Sequence, residues 1–271
     1  MPRPGFVLDV DKSTPPILFH HGEGFRLEKL PAGRSRVIYP GEPLEPLDDV
    51  EAEISHALHH PLDMDPLPAL LQPGMKLTIA FDDISLPLPP MKRPDIRQRV
   101  IEQVLDLAAA AGVDDVHLIA ALALHRRMTE AELREAVGDR VYDAFAPTGA
   151  LYNHDAEDPD NLAFLGTTKH GEEVEINKRA AESDLLIYVN INIVSMDGGH
   201  KSTATGLASY RSIKHHHNVR TMQHSKSFMD RHNSELHHSN WRMGAVIADA
   251  GVKVFQIETT INTDTFGQDG P

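Results

Sequence analysis

The chain of 271 residues reads as an α/β protein built on a mainly parallel, Rossmann-like sheet with flanking helices. Three observations predict this. Met75–Phe81 (MKLTIAF), the amphipathic stretch from Asp95 to Ala111 and Val116–Leu124 (VHLIAALAL) follow one another as strand, helix, strand, the order that a right-handed crossover joins in parallel. Leu185–Val194 is a nearly continuous apolar, β-branched run broken only at Asn190 and Asn192, as in a strand buried on both faces of such a sheet. Gly198, Gly199 and Lys201 then form a glycine turn with a cation past a strand end, where open α/β sheets take their ligands.

The remaining elements support that core. Residues 1 to 75 hold many of the 19 prolines and read as short strands and turns around one helix near Val50–His60. The paired histidines there, His20 with His21 and His59 with His60, read as surface or capping positions, and no chemistry is assigned to them. The helix from Asp95 follows Pro94, carries its apolar stripe on Ile96, Val100, Ile101, Val104, Leu105 and Leu107, and closes at Gly112. Thr129 with Glu132 three residues on predicts a capping box for the next helix, TEAELREAVG, which leaves His125 at a strand's carboxyl end. Asp155–Asp160 reads as a solvated acidic loop, Gly166-Thr167-Thr168 as a hairpin tip, and Lys178-Arg179 as the start of a short helix. A helix is expected to run from Lys201 to His215-His216-His217. Beyond it, Asn218–His238 reads as a polar helical surface rather than a second metal site, followed by a helix from Trp241 to Ala250 and a last strand, VKVFQIETTI.

Composition narrows the function. Apolar residues make up 41% of the chain, enough for one large domain or two smaller ones. Lys and Arg total 26 against 40 Asp and Glu, a net charge of 26 − 40 = −14, which disfavours nucleic-acid binding and leaves a small molecule as the expected partner. With no cysteine, disulfides, zinc-thiolate sites and thiol nucleophiles are excluded together. No apolar run of membrane-spanning length and no leader pattern is evident, so the expectation is a cytoplasmic protein that makes no membrane contact.

Three residues carry chemical potential. Lys201 can hold an anion or act as a nucleophile. His125 reads equally as a residue that caps or hydrogen-bonds its loop and as a proton-transfer group, since an imidazole with a pKa near ~6.5 exchanges protons close to neutrality. Asp83 reads equally as a turn or helix cap and as a functional carboxylate. The run His215-His216-His217 reads by itself as a solvated helix end.

The glycine-glycine-any-lysine pattern with a histidine sixteen residues after the lysine, and His125-Arg126-Arg127-Met128-Thr129-Glu130, resemble the nickel-pincer lactate racemase family. The likeness covers that family's N-terminal, cofactor-bearing domain and runs from about residue 30 onward. It implies an N-terminal extension over 1–29, a lactate-racemase-like domain over 30–271, and a second domain of the family that this chain lacks. It further implies that Lys201 tethers a nickel-bearing pyridinium mononucleotide through a thioamide, with Gly198 and Gly199 forming the cofactor turn. His217 then completes the nickel coordination, with His215 and His216 as open alternatives, and His125 serves as acid/base. Nickel suits such a set of soft sulfur, carbon and imidazole donors.

Two positions depart from the family. Its Asp-any-Thr-Arg-Pro motif is matched at Asp83, Ser85 and Pro87, but Leu86 replaces the arginine that contacts a substrate carboxylate, a pairing a leucine cannot make. Ile191 replaces the second acid/base histidine, ten residues before Lys201; His200 and His154 are the conceivable substitutes. The expected function is therefore an isomerase, a racemase or epimerase of a 2-hydroxy acid other than lactate, working by reversible hydride transfer to the tethered cofactor. Two rivals stand beside it. One is a non-catalytic nickel or nucleotide-cofactor binding domain that needs a second domain, a partner chain or a homo-oligomer. The other is plain histidine-based metal binding.

Overall fold

The computed structural model describes residues 7–21, 24–39, 44–84 and 91–261. The chain divides into two compact units, 1–46 and 47–271. In the first, β1 (Val7–Asp9) pairs antiparallel with the strand Arg36–Ile38, and β2 (Ile17–His21) forms a hairpin with β3 (Gly24–Glu28); Arg36–Ile38 is β4.

The second unit opens with α1 (Val50–His59), capped by Asp49, and α2 (Leu67–Leu70). There follow β5 (Lys76–Asp82), α3 (Ile96–Ala110), β6 (Asp115–Ala121), α4 (Glu130–Val137), α5 (Asp139–Phe145), β7 (Leu151–Asn153), β8 (Leu162–Thr167), β9 (Glu173–Asn177), α6 (Lys178–Ala181) and β10 (Leu185–Asn192). The chain continues through α7 (Tyr210–Ile213), α8 (Val219–His224) and α9 (Glu235–Asp249) to β11 (Val254–Thr260). Five strands form one parallel sheet in the order β11-β10-β5-β6-β7, the expected α/β class. Among the described residues no helix is long and apolar enough to cross a membrane.

The period-two alternation of a strand explains why this sheet needs two cores. Leu185, Ile187 and Val189 of β10 join Leu77, Ile79 and Phe81 of β5 and the apolar stripe of α3 on one face. Leu186 and Tyr188 face the other way, onto Ile176 of β9, Leu207, and Met243 and Ile247 of α9. With both faces covered, β10 has no polar side to show, which is why its sequence is almost unbroken. The predicted capping box is present, with the Thr129 side chain on the Glu132 N–H and Glu132 on the Thr129 N–H. Gly166-Thr167-Thr168 does belong to a hairpin, β8 with β9.

Three expected elements end or break early. The strand Val116–Leu124 stops at Ala121, because Ala123 turns into the left-handed region (φ 52°) and gives its N–H to the Gly206 carbonyl instead of a neighbouring strand. The single helix expected from Lys201 to His217 is broken. A π-helical turn, Ser202–Gly206, gives way to Leu207–Ser209, which lies along β9: the Leu207 carbonyl takes the Asn177 N–H, and the Ser209 N–H goes to the Glu175 carbonyl. Asn218–His238 is not one helix either, since α8 ends at His224 and Ser234 caps α9, whose Glu235 N–H is taken by the Ser225 hydroxyl.

From β5 the chain moves outward through β6 and β7, whereas β10 and β11 lie on the other side of β5. The strand order therefore reverses between β5 and β10, and at such a switch point a crevice opens outside the carboxyl ends of the strands.

Candidate active site at the switch point

The carboxyl end of β5 delivers two aspartates. Their backbone is held by Arg97, in the first turn of α3, whose Nη1 donates to the carbonyls of Asp82 (2.9 Å) and Asp83 (3.2 Å). The rest of that guanidinium lies bidentately on the α3 cap residue Asp95, Nε to Oδ1 at 2.9 Å and Nη2 to Oδ2 at 2.7 Å. This pair is buried, with side-chain exposures of 5% for Arg97 and 1% for Asp95, so the aspartate turn is anchored by a charge that has no access to solvent.

Asp82 points inward. Its Oδ1 accepts the Tyr188 hydroxyl at 3.1 Å and its Oδ2 accepts the Ile191 N–H at 2.7 Å. Burial pushes this carboxyl up to about 6; the Ile191 N–H, Tyr188 and Lys201 work against the shift, and Asp83 adds to it. Asp83 points the other way, its Oδ2 3.0 Å from Nδ1 of the half-exposed His125. That hydrogen bond raises the His125 pKa, outweighing burial and the nearby Lys201 charge. His125 stands on the turn made by Ala123, a conformation that costs a non-glycine residue about 1 kcal/mol or more and that fixes where the imidazole projects. The two cations that follow are already paired, Arg126 with Glu132 and Arg127 with Asp155.

The carboxyl end of β10 delivers the lysine. Asp197 accepts the N–H groups of Ile193 and Val194 on Oδ2, which is what ends β10 at Asn192, and holds Lys201 Nζ on Oδ1 at 2.8 Å. Gly198 and Gly199 occupy the left-handed region (φ 82° and 58°), as the predicted glycine turn requires.

The three consecutive histidines separate. His215 turns to Glu173, at 3.5 Å. His216 is buried, and burial first, then the neighbouring His217, pushes its pKa down to about 3, so its ring is neutral. His217 is the one that lies in the fields of Lys201 and His125; burial and those two charges lower its pKa and favour a neutral imidazole. Its Nδ1 is 2.8 Å from Nδ1 of His216, so one of the two rings donates to the other. Asp83, His125, Lys201 and His217 are thus brought together, with Gly198 and Gly199 beneath the lysine.

The conceivable replacements for the missing histidine do not join them. His154 is buried, with Nε2 on the Ala208 carbonyl (3.0 Å) and Nδ1 on Asn177 (3.4 Å). The His200 ring packs on Gly244 and meets Trp241 edge-on at 5.0 Å. Ile191 is buried, with its N–H on Asp82. Ser85, Leu86 and Pro87 lie outside the described residues. Among the described residues no group of three or more His, Cys, Asp or Glu side chains could hold a bare metal ion.

Arg97 and Asp197 went unread in the sequence, where Asp82 reads as a turn or helix-cap residue beside Asp83. Arg97 looks like a solvated residue on the first turn of a helix, although Pro94-Asp95 just before it marked the cap that it completes. Asp197 differs from an ordinary loop aspartate only in standing four residues before the lysine.

A family model for the lactate racemase N-terminal domain matches residues 21–230. The lactate racemase of Lactiplantibacillus plantarum is 26% identical over 170 residues, and that of Thermoanaerobacterium thermosaccharolyticum 25% identical over 173; each match covers 60% of this chain and 37% of the relative. The chain thus matches little more than a third of these curated relatives. Among solved structures, the lactate racemase apoprotein from T. thermosaccharolyticum shares the fold with a TM-score of 0.66 at 22% identity, covering 93% of this chain and 58% of that one. A protein from Thermotoga maritima does so at 0.60 and 18%, covering 80% and 52%.

Proposed function

We propose a function from one premise: the chain belongs to the lactate racemase N-terminal domain family. The reading is an isomerase, a racemase or epimerase acting on a 2-hydroxy acid other than lactate, by reversible hydride transfer to a nickel-pincer nucleotide held at Lys201. The observation that carries it is the meeting of the Asp83–His125 pair with Lys201 and His217 at the switch point of the sheet.

The donor set fits such a group. His217 offers a neutral imidazole and Lys201 a primary amine at the same place, with no complete ligand shell among the described residues, which suits a metal whose remaining ligands arrive with an organic carrier. Lys201 would hold the carrier, and Gly199, which has no Cβ, leaves room for it. His217 would face the metal through Nε2 in the tautomer whose Nδ1 donates to the neutral His216, a contact that orients the ring. When bound, the group supplies a reversible hydride acceptor.

The chain's own residues move the proton. Asp83 occupies Nδ1 of His125, leaving Nε2 to take the substrate hydroxyl proton as the α-hydrogen departs and to return it afterwards. The carboxylate both orients the ring and stabilises its charged form, which keeps His125 an effective base. Arg126 and Arg127 already pair with Glu132 and Asp155, so a substrate carboxylate would need another anchor or would have to displace one of these exposed pairs.

The test is intact mass and peptide mapping of the chain co-expressed with the enzymes that build the cofactor, followed by a panel of 2-hydroxy acids. An adduct on Lys201, lost in Lys201→Ala, together with turnover abolished in His125→Ala, is expected. An unmodified Lys201 beside a fully modified lactate racemase control would sink the tether. One observation favours the non-catalytic alternative: a buried isoleucine, Ile191, stands where a second acid/base histidine is expected. That reading predicts the adduct without turnover of any 2-hydroxy acid, even when a second domain is supplied.

A further inference from the structure

Asn190 and Asn192, the two polar breaks in β10, direct their amides at one carboxylate. Glu258 lies opposite Asn190 in the register of β10 and β11; its Oε2 accepts Nδ2 of Asn190 at 2.7 Å and Nδ2 of Asn192 at 2.9 Å. Its Oε1 accepts the backbone N–H of Gly199 at 2.7 Å. The same carboxylate fills the space beside Gly198, where a Cβ would lie 2.4 Å from Oε2. Glycine at 198 is therefore required twice, for its positive φ and for the closeness of Glu258. A second residue of β11 grips the other side of the lysine: Gln256 Nε2 donates to the Ser202 hydroxyl at 3.0 Å, and that hydroxyl donates to Oδ1 of Asn190 at 3.1 Å.

Lys201 thus lies between two anchors, Gly199 and Ser202, both tied to β11. Its ammonium is on Asp197, so Glu258 reaches the lysine only through the backbone. Three donors converging on one ionised acceptor make charge-assisted bonds, roughly twice as strong as neutral ones. We propose that Glu258 is the positioning residue of Lys201: its carboxylate sets the Gly198–Gly199 turn and with it the direction from which the amine meets His125 and His217. This rests on Lys201 as the reactive group of the proposed function. It assigns a role to β11, which lies beyond the matched residues 21–230.

The experiment uses the full chain with Glu258→Ala, Glu258→Gln and, as a control on the same strand, Thr260→Ala. Three quantities are read: amide hydrogen exchange along 185–202 and 252–260, acylation of Lys201 relative to Lys253 by acetic anhydride at one pH, and the fraction of Lys201 carrying the adduct after co-expression with the cofactor-building enzymes. In Glu258→Ala the Gly199 amide should exchange at least tenfold faster while Val252 and Phe255 hold their wild-type rates. The Lys201:Lys253 acylation ratio should rise at least threefold, as a side chain only 26% exposed in the native turn comes free, and the adduct should fall at least tenfold. Glu258→Gln keeps an oxygen for Gly199 and should fall between wild type and Glu258→Ala; Thr260→Ala should match wild type. Unchanged acylation and loading in Glu258→Ala would overturn the proposal, as would faster exchange spread evenly over β11, the mark of a purely structural residue. Absence of the adduct in wild type beside a modified control defeats the tether reading alone; exchange and acylation still decide the role of Glu258.

Discussion

The two sides of the switch point are held by opposite means. On the β5–β6 side a buried guanidinium, Arg97, grips the aspartate turn from inside, and Asp82 is sunk against Tyr188. On the β10–β11 side the glycine turn is held from outside by the exposed carboxylate of Glu258, with the part-buried Asp197 on the lysine itself. Charge pairs removed from water are rigid and costly to break, whereas exposed ones are screened and adjustable. The difference matches the proposed duties. An acid/base pair needs one fixed geometry, and a lysine that receives a bulky carrier needs a turn able to give way.

The largest expected effect tests the buried side. Arg97→Ala strands the Asp95 carboxylate and two carbonyls, and should cost about 3–5 kcal/mol in denaturant unfolding. A loss below about 1 kcal/mol would erase the contrast between the two sides. Asp82→Asn should act in the opposite sense. A carboxyl raised from 3.8 to about 6 on folding supports the fold at pH below ~4 and loses that contribution as the pH climbs through about 6. The asparagine variant, able to keep both hydrogen bonds by donating to the Tyr188 oxygen, should therefore be more stable than wild type by on the order of 2 kcal/mol at pH 8. That advantage should shrink to nothing at pH 4. Equal stability at both pH values would mean that burial does not govern Asp82.

The smallest effect sharpens the comparison at its working end. Asp83→Asn replaces the carboxylate that raises the His125 pKa with a neutral amide, so the imidazole should titrate lower in a histidine NMR titration. The wild-type pair contributes stability that is fully present below the unfolded histidine pKa of ~6.5 and is lost as pH rises through the folded value. Its loss should cost less than about 1 kcal/mol near pH 6, since His125 is half exposed. A His125 titration unmoved by the substitution would remove Asp83 from the acid/base pair.

How much of this was legible depends on the reach of each interaction. The Thr129–Glu132 box, the stripe of α3 and the double burial of β10 are set by residues within a few positions of each other, and periodicity reports them. The motif residues Asp83, His125, Lys201 and His217 were legible as types at suitive ends of elements, although not as one cluster. Asn190 and Asn192 were visible as interruptions, but Glu258, their acceptor, stands 68 and 66 residues away and reads as an ordinary polar position of a strand. The break after Lys201 was hidden for the same reason: the groups that stop the helix belong to β9.

By itself the sequence determined the α/β class, the order of the strands along the chain, the glycine turn and the residue types able to do chemistry, because those follow from local periodicity, backbone freedom and side-chain functional groups. Only the tertiary structure decided that β10 lies beside β5, that His217 rather than His215 or His216 shares the field of Lys201 and His125, that Asp82 turns inward while Asp83 turns to His125, and that β11 closes on the lysine turn. Each of these depends on hydrogen bonds and burial between segments far apart in the chain, whose partners are chosen by the packing of the whole sheet and by no pattern within either segment.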